Sequence, residues 1–85
     1  MIKTVFYFTA DWCKPCERVR PIAENLNRDG IAAFQFIDAD QEIDLVRKFE
    51  IKSIPTFILI DEGKEINRIS GAQTREQLEN FINGK

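Results

Sequence analysis

Cys13 and Cys16 are the only two cysteines of the 85-residue chain. They stand between an apolar run, Val5-Phe6-Tyr7-Phe8, and a segment whose apolar residues recur with helical spacing. A strand that turns into a helix through a C-x-x-C pair leaves few folds open. Two thiols at this spacing close a small disulfide ring without moving the backbone far. With Cys13 at the helix N-terminus, its thiolate is stabilised by unpaired backbone N–H groups and the helix dipole. Such a pair supplies a nucleophile near neutral pH with a second thiol in place to resolve the product.

The rest of the pattern reads as one alternating α/β domain over residues 1–85. Residues 2–8 are β-branched and aromatic, which suits a buried strand. Residues 9–13 form the turn into a helix. Cys16, Val19, Ala23 and Leu26 recur every three or four residues and mark one face of that helix, which ends near Asp29-Gly30. Pro21 falls inside it and removes one backbone hydrogen bond, which predicts a kink. Residues 31–37 read as a second strand. Asp40 is placed to cap a short helix with apolar positions Ile43, Val46 and Phe49. Residues 56–60 form a third strand, Asp61-Glu62-Gly63-Lys64 a turn, and residues 65–70 a returning fourth strand. Thr74 and Gln77 fit a capping box for a last helix that uses Leu78, Phe81 and Ile82. The order βαβαββα predicts a parallel first pair of strands, an antiparallel final hairpin, and a mixed four-stranded sheet with helices on both faces.

Composition narrows the function classes. A chain this short buries only roughly 60–70 % of its unfolded surface, and 44 % hydrophobic residues with seven Phe supply the core. Twelve basic and 14 acidic residues give a net charge of −2, which offers no electrostatic reason for nucleic acid or an anionic membrane as partner. The longest apolar run, Phe57-Ile58-Leu59-Ile60, is far too short to span a bilayer. The first residues lack the features of a secretory signal, which predicts a cytoplasmic protein. A lone C-x-x-C in a reducing compartment reads as catalytic rather than as a structural staple. With two Cys and no His, a structural zinc site would need a second copy of the chain. Asp38, Asp40 and Asp44 read as loop and cap residues, since no calcium-loop pattern continues from them.

Several segments together resemble the thioredoxin family across nearly the whole chain. Ala10-Asp11-Trp12-Cys13-Lys14-Pro15-Cys16 is similar to the family's active-site segment, and Pro21 to the proline of its active-site helix. Ile54-Pro55-Thr56 resembles the cis-proline segment facing the cysteines. Gly63 matches the hairpin turn, and Gly71-Ala72 the glycine after the last strand. The resemblance implies a thioredoxin-like fold cut to glutaredoxin size, without the N-terminal strand and helix of longer members. It also implies protein-disulfide reduction, with Cys13 exposed as nucleophile and Cys16 turned inward as resolving thiol. No bound cofactor is required, because the thiols carry the electrons. The partners implied are disulfide-containing proteins and an electron donor, either thioredoxin reductase or glutathione, with the chain acting as a monomer.

The resemblance also assigns the surroundings. Trp12 is placed at the surface beside the disulfide, where its indole N–H needs a polar partner; the plain alternative is a core tryptophan. Pro15 suits the first helical turn, where its absent N–H costs nothing. Lys14 either favours ionisation of the thiol or is a solvated helix-start residue. A cis Ile54–Pro55 bond would leave the Ile54 backbone free to pair with an extended substrate; a strand-starting trans proline is the alternative. Gly71 and Ala72 would complete an apolar docking patch with Trp12, Pro15 and Ile54.

Two positions depart from the family pattern. Tyr7 stands where a buried Asp is usual, and Phe36 where a Lys often accompanies it. Neighbouring strands carry the two, so removing one charge alone would strand the other in the core. Replacing both with aromatics predicts a dry core around them, costly Phe36→Lys, and tolerated Tyr7→Asp combined with Phe36→Lys. Tyr7 and Lys14 are therefore the candidate tuning residues. Two further readings compete: a disulfide oxidant or isomerase, and a non-catalytic accessory module that would survive loss of both cysteines.

Overall fold

The first strand is apolar on both faces, and the fold follows from covering both. The computed structural model describes residues 2–85. In it β1 (Thr4–Thr9) leads to α1 (Lys14–Arg28), β2 (Ala33–Asp38), α2 (Ile43–Lys48), β3 (Thr56–Asp61), β4 (Lys64–Ser70) and α3 (Arg75–Asn83). The four strands form one sheet in the order β2-β1-β3-β4. β1 runs parallel to β2 and antiparallel to β3, and β3 antiparallel to β4. Alternate residues of a strand point to opposite faces. Val5 and Tyr7 of β1 join Phe57 and Leu59 of β3 in a core with Val19, Ala23 and Leu26 of α1 and Leu78, Phe81 and Ile82 of α3. Phe8 and Ile58 point the other way, into a cluster that α2 and the segment after it cover with Leu45, Val46, Phe49, Ile51 and Ile54. The mixed sheet with helices on both faces is thus as the element order predicts.

Element ends have local causes. Gly30 adopts φ 76° and donates to the Asn27 carbonyl, while Ile31 donates to that of Leu26. This closes α1 in a Schellman motif, uses up Ile31, and delays the second strand to Ala33. Thr74 and Gln77 exchange both capping-box hydrogen bonds, at 3.1 and 2.9 Å. Glu62 and Gly63 both have positive φ, 52° and 78°, giving the two-residue hairpin turn whose twist matches the flanking strands. One expectation fails at α2. Its N-cap is Glu42, with no side-chain cap bond: the Gln41 and Glu42 N–H groups close a turn onto the Asp38 carbonyl, which leaves Asp40 two residues before the cap position.

Candidate functional site

Where β1 ends, the chain must turn into α1, and Cys13 is the hinge. It is the N-cap of α1, with extended backbone (φ −86°, ψ 106°). Its Sγ accepts from the Cys16 N–H at 3.2 Å, as the side chains of good N-caps do. Lys14 and Pro15 follow as the first helical residues, and the N–H that proline lacks is one the helix leaves unpaired anyway. Cys16 lies one turn in. The two cysteines are joined as a disulfide with Cα atoms 5.2 Å apart. α1 continues through Pro21 to Arg28.

Both cysteines are covered. Cys16 is 2 % exposed, as its inward placement predicts, but Cys13 is 3 % exposed rather than open to solvent. Its sulfur is bonded to that of Cys16, and both pack against Ala10 with Ile54 leaning on them. The outer approach is therefore set by what surrounds Cys13. Trp12 is 66 % exposed and its Nε1 donates to Asp40 Oδ2 at 2.8 Å. That bond supplies the indole's polar partner and occupies the carboxylate of Asp40. Asp40 is in turn held by its own N–H donating to Asp38 Oδ1 at 2.8 Å. Ile54–Pro55 is cis, and the Pro55 carbonyl accepts from Gly71 N–H at 2.8 Å. Gly71, at φ 90°, is thereby brought to the proline from the far end of β4. Ala72 and Pro15 are exposed. Lys14 is solvated and only loosely paired with Glu17 at 3.9 Å, an arrangement of little energetic worth.

Two concave surfaces flank the disulfide. A groove of about 190 Å3 runs between Trp12 and Ile54, floored by Ala39, Val46 and Ile51 and edged by Lys52 and Ser53. Of these only Trp12 and Ile54 are candidate site residues in the sequence. Lys52 and Ser53 could have been added from their place next to Ile54-Pro55, whereas Ala39, Val46 and Ile51 carry no such signal in the sequence. On the other side a cleft of about 270 Å3 is lined by Thr9, Ala10, Asp11, Cys13, Cys16, Glu17, Arg20, Pro21 and Glu24.

Tyr7 and Phe36 are register partners on β1 and β2, with rings edge to face and centroids 5.5 Å apart. Tyr7 also stacks on Phe57 at 4.7 Å. It is fully buried, and its hydroxyl donates to the Cys16 carbonyl at 3.2 Å. Phe36, however, is 36 % exposed at the sheet edge and lies under the Arg20 guanidinium at 5.9 Å. The dry aromatic pair predicted from the sequence is dry only at Tyr7, because β2 has a neighbour on one side only.

Burial pushes the Tyr7 phenol above its usual pKa; the Thr9 hydroxyl and the Arg20 charge oppose the rise, and the Glu24 charge adds to it. A phenol whose folded pKa exceeds its unfolded one binds more protons in the native state. Stability is then unaffected below about pH 10 and is lost as pH rises through the folded pKa. Alkaline titration of this single tyrosine by phenolate absorbance should show ionisation coinciding with unfolding. Tyr7→Phe should shift the alkaline unfolding midpoint upward.

A four-stranded mixed sheet that carries a C-x-x-C disulfide on the first turn of its first helix, opposite a cis-proline, is the architecture of the thiol–disulfide oxidoreductases. Comparisons with known proteins refine this. A sequence model of the thioredoxin family matches residues 2–84. The chain is 36 % identical over 77 residues to a thioredoxin of Staphylococcus saprophyticus, covering 88 % of this chain and 74 % of that one. It is 36 % identical over 80 residues to thioredoxin H2-2 of Oryza sativa, covering 93 % of this chain but 59 % of that protein. The X-ray structure of Fasciola hepatica thioredoxin superposes with a TM-score of 0.90 at 33 % identity, over 98 % of this chain and 80 % of the other. The chain belongs to the thioredoxin family.

Proposed function

We propose that the chain reduces disulfides in other proteins by cycling Cys13 and Cys16 between dithiol and disulfide. The observation that carries this is the placement of the pair: Cys13 at the helix N-cap, Cys16 behind it, and cis Ile54–Pro55 alongside. The Cys13 thiolate attacks a substrate sulfur, forming a mixed disulfide and releasing the other substrate sulfur as thiolate. Cys16 then attacks Cys13, forming the Cys13–Cys16 bond and releasing the second thiolate. Two electrons pass to the substrate, and an external donor, thioredoxin reductase or glutathione, returns them.

Trp12, Pro15, Ile54, Pro55, Gly71 and Ala72 form the docking surface in this reading, and the groove between Trp12 and Ile54 receives a substrate side chain. The Ile54 backbone pairs with the extended substrate, and Lys14 draws acidic ones. The cycle fits a monomer in the reducing cytoplasm, working in electron transport to protein disulfides. Among the described residues no helix is long and apolar enough to cross a membrane.

The reduction potential tests the direction of the chemistry. Equilibration in graded thiol buffers, read by the fluorescence of the single Trp12, should give a value near the thioredoxin figure of about −270 mV. A value close to the about −120 mV of a strong oxidant would overturn the reading.

A further inference from the structure

One buried polar atom close to the disulfide is unused by the cycle as described. Thr9 is 3 % exposed, and its Oγ1 has no hydrogen-bond partner, the one buried side-chain nitrogen or oxygen in that condition among the described residues. Thr9 lines the same cleft as Cys13 and Cys16. It follows Val5 and Tyr7 at two-residue spacing, so it stands on the face of β1 that α1 covers. The Tyr7 hydroxyl, two residues before it, is near enough for Thr9 to influence its ionisation, yet it donates to the Cys16 carbonyl. This face of β1 therefore abuts the first turn of α1.

A threonine hydroxyl has one proton to donate and two lone pairs. Left unpaired in an interior it is less favourable than a valine methyl in the same space. In the disulfide form the Cys16 sulfur is uncharged and bonded to Cys13. Breaking that bond creates a far better acceptor, a thiolate, in the cleft that the unpaired donor also lines. The charged groups around the cleft do not favour that thiolate. Asp11 from the turn and Glu17 and Glu24 from α1 outnumber Arg20, while the loop before β3 presents the apolar Ile54. The Tyr7 phenol has already given its one proton to the Cys16 carbonyl, which leaves the Thr9 hydroxyl as the uncommitted uncharged side-chain donor of the cleft.

We propose that the Thr9 hydroxyl donates a hydrogen bond to the Cys16 sulfur once the disulfide opens, holding Cys16 as a thiolate for attack on the mixed disulfide. This rests on the reading of Cys16 as the resolving thiol. In the step it assists, the Cys16 proton leaves through the cleft to solvent. The Cys16 thiolate bonds to Cys13 Sγ, the Cys13–substrate bond breaks, and the departing substrate thiolate takes a proton from solvent. Thr9 keeps its own proton throughout.

Thr9→Val keeps the shape and removes the donor; Thr9→Ser keeps the donor. In a Cys13→Ser background, the pH dependence of Cys16 alkylation reports the Cys16 pKa directly. Thr9→Val should raise it by about one unit, since a hydrogen bond to the charged form favours that form, and Thr9→Ser should restore it. In the otherwise unaltered chain, Thr9→Val should slow release of substrate from the mixed disulfide about threefold at neutral pH, a tenfold loss of thiolate being partly offset by the higher nucleophilicity of the more basic sulfur. It should also make the pair more reducing, by about 30 mV for a tenfold change. The same variant should melt no lower than the parent in the disulfide form, which separates a lost thiolate partner from a damaged fold. Thr9→Ala, which cannot crowd the cleft, should raise the pKa as valine does. An unchanged Cys16 pKa in Thr9→Val, or an equal shift in Thr9→Ser, overturns the proposal. Normal turnover by Cys16→Ser would instead overturn the assignment of Cys16, a separate and recognisable failure.

Discussion

Cys13→Ser is expected to reduce catalysed disulfide reduction to the uncatalysed background while the fold survives. Serine is as good an N-cap as α1 can have, and its Oγ accepts the Cys16 N–H that Cys13 Sγ now accepts. The helix start is therefore kept and only the sulfur is lost. Cys16 cannot take over the attack. It lies on the buried face of α1 with Val19 and Ala23, whereas Cys13 sits at the helix start between the exposed Trp12, Lys14 and Pro15, where a substrate can approach. Cys16→Ser should fail differently. Cys13 still attacks, no thiol resolves the product, and the chain accumulates as a covalent adduct with its substrate. Either variant also forfeits the cross-link, whose short ring contributes on the order of 2 kcal/mol by loop-closure entropy. For a domain of this size that is a fall in Tm of about 10 °C. Dithiothreitol-driven reduction of insulin followed by turbidity, circular dichroism for the fold, and intact mass for the adduct check all three. Residual catalysis by Cys13→Ser in a folded sample would show that the nucleophile is misassigned.

Most of the fold was legible because its signals are local and agree with one another. The unbroken, largely β-branched and aromatic runs of β1 and β3, the three-and-four spacing from Cys16 to Leu26, and the Thr74–Gln77 box each identify an element without reference to the rest of the chain. The parts that were not legible depend on where distant segments meet. Asp40 has the chemistry of an N-cap and sits near the right place, yet its carboxylate bonds to an indole 28 positions earlier. Nothing in the spacing favours that pairing over the cap. A thiol that precedes a helix has the placement of an open one, and Cys13 is covered by Ala10 and by Ile54, which reaches it from the loop before β3. Ala39, Val46 and Ile51 look like core residues of α2 and its flanks, and only the assembled structure shows them flooring a groove beside Trp12. Thr9 has the place of a turn residue in the sequence, and its significance lies in an unpaired hydroxyl that only packing reveals.

The Tyr7 and Phe36 pair shows the same limit in energetic terms, and it yields the second large effect. Phe36→Lys is expected to be mild. The residue is 36 % exposed at a sheet edge, so a lysine can lay its stem along the strand and keep its ammonium in water. The loss is the edge-to-face contact with Tyr7, worth about 1 kcal/mol, and a cation–π contact replaced by proximity to Arg20. Tyr7→Asp is expected to be severe. It removes an aromatic that is fully buried and stacked on Phe57, at about 3–5 kcal/mol, and leaves a carboxylate in the cavity at several kcal/mol more if ionised. An 85-residue domain holds about 4–13 kcal/mol in all, so the variant should be largely unfolded at neutral pH. The carboxyl's folded pKa would be raised by desolvation above its unfolded value of about 4. The native state then binds the extra proton, and stability falls as pH rises above about 4 and is partly regained on acidification. Adding Phe36→Lys gives the introduced carboxylate a cation on its register partner and should recover about 0.5–3 kcal/mol. Urea titrations of the three variants at pH 4 and pH 7 decide the matter. A costly Phe36→Lys beside a benign Tyr7→Asp would mean that the sheet edge, not the strand next to it, is where this domain cannot accept a charge.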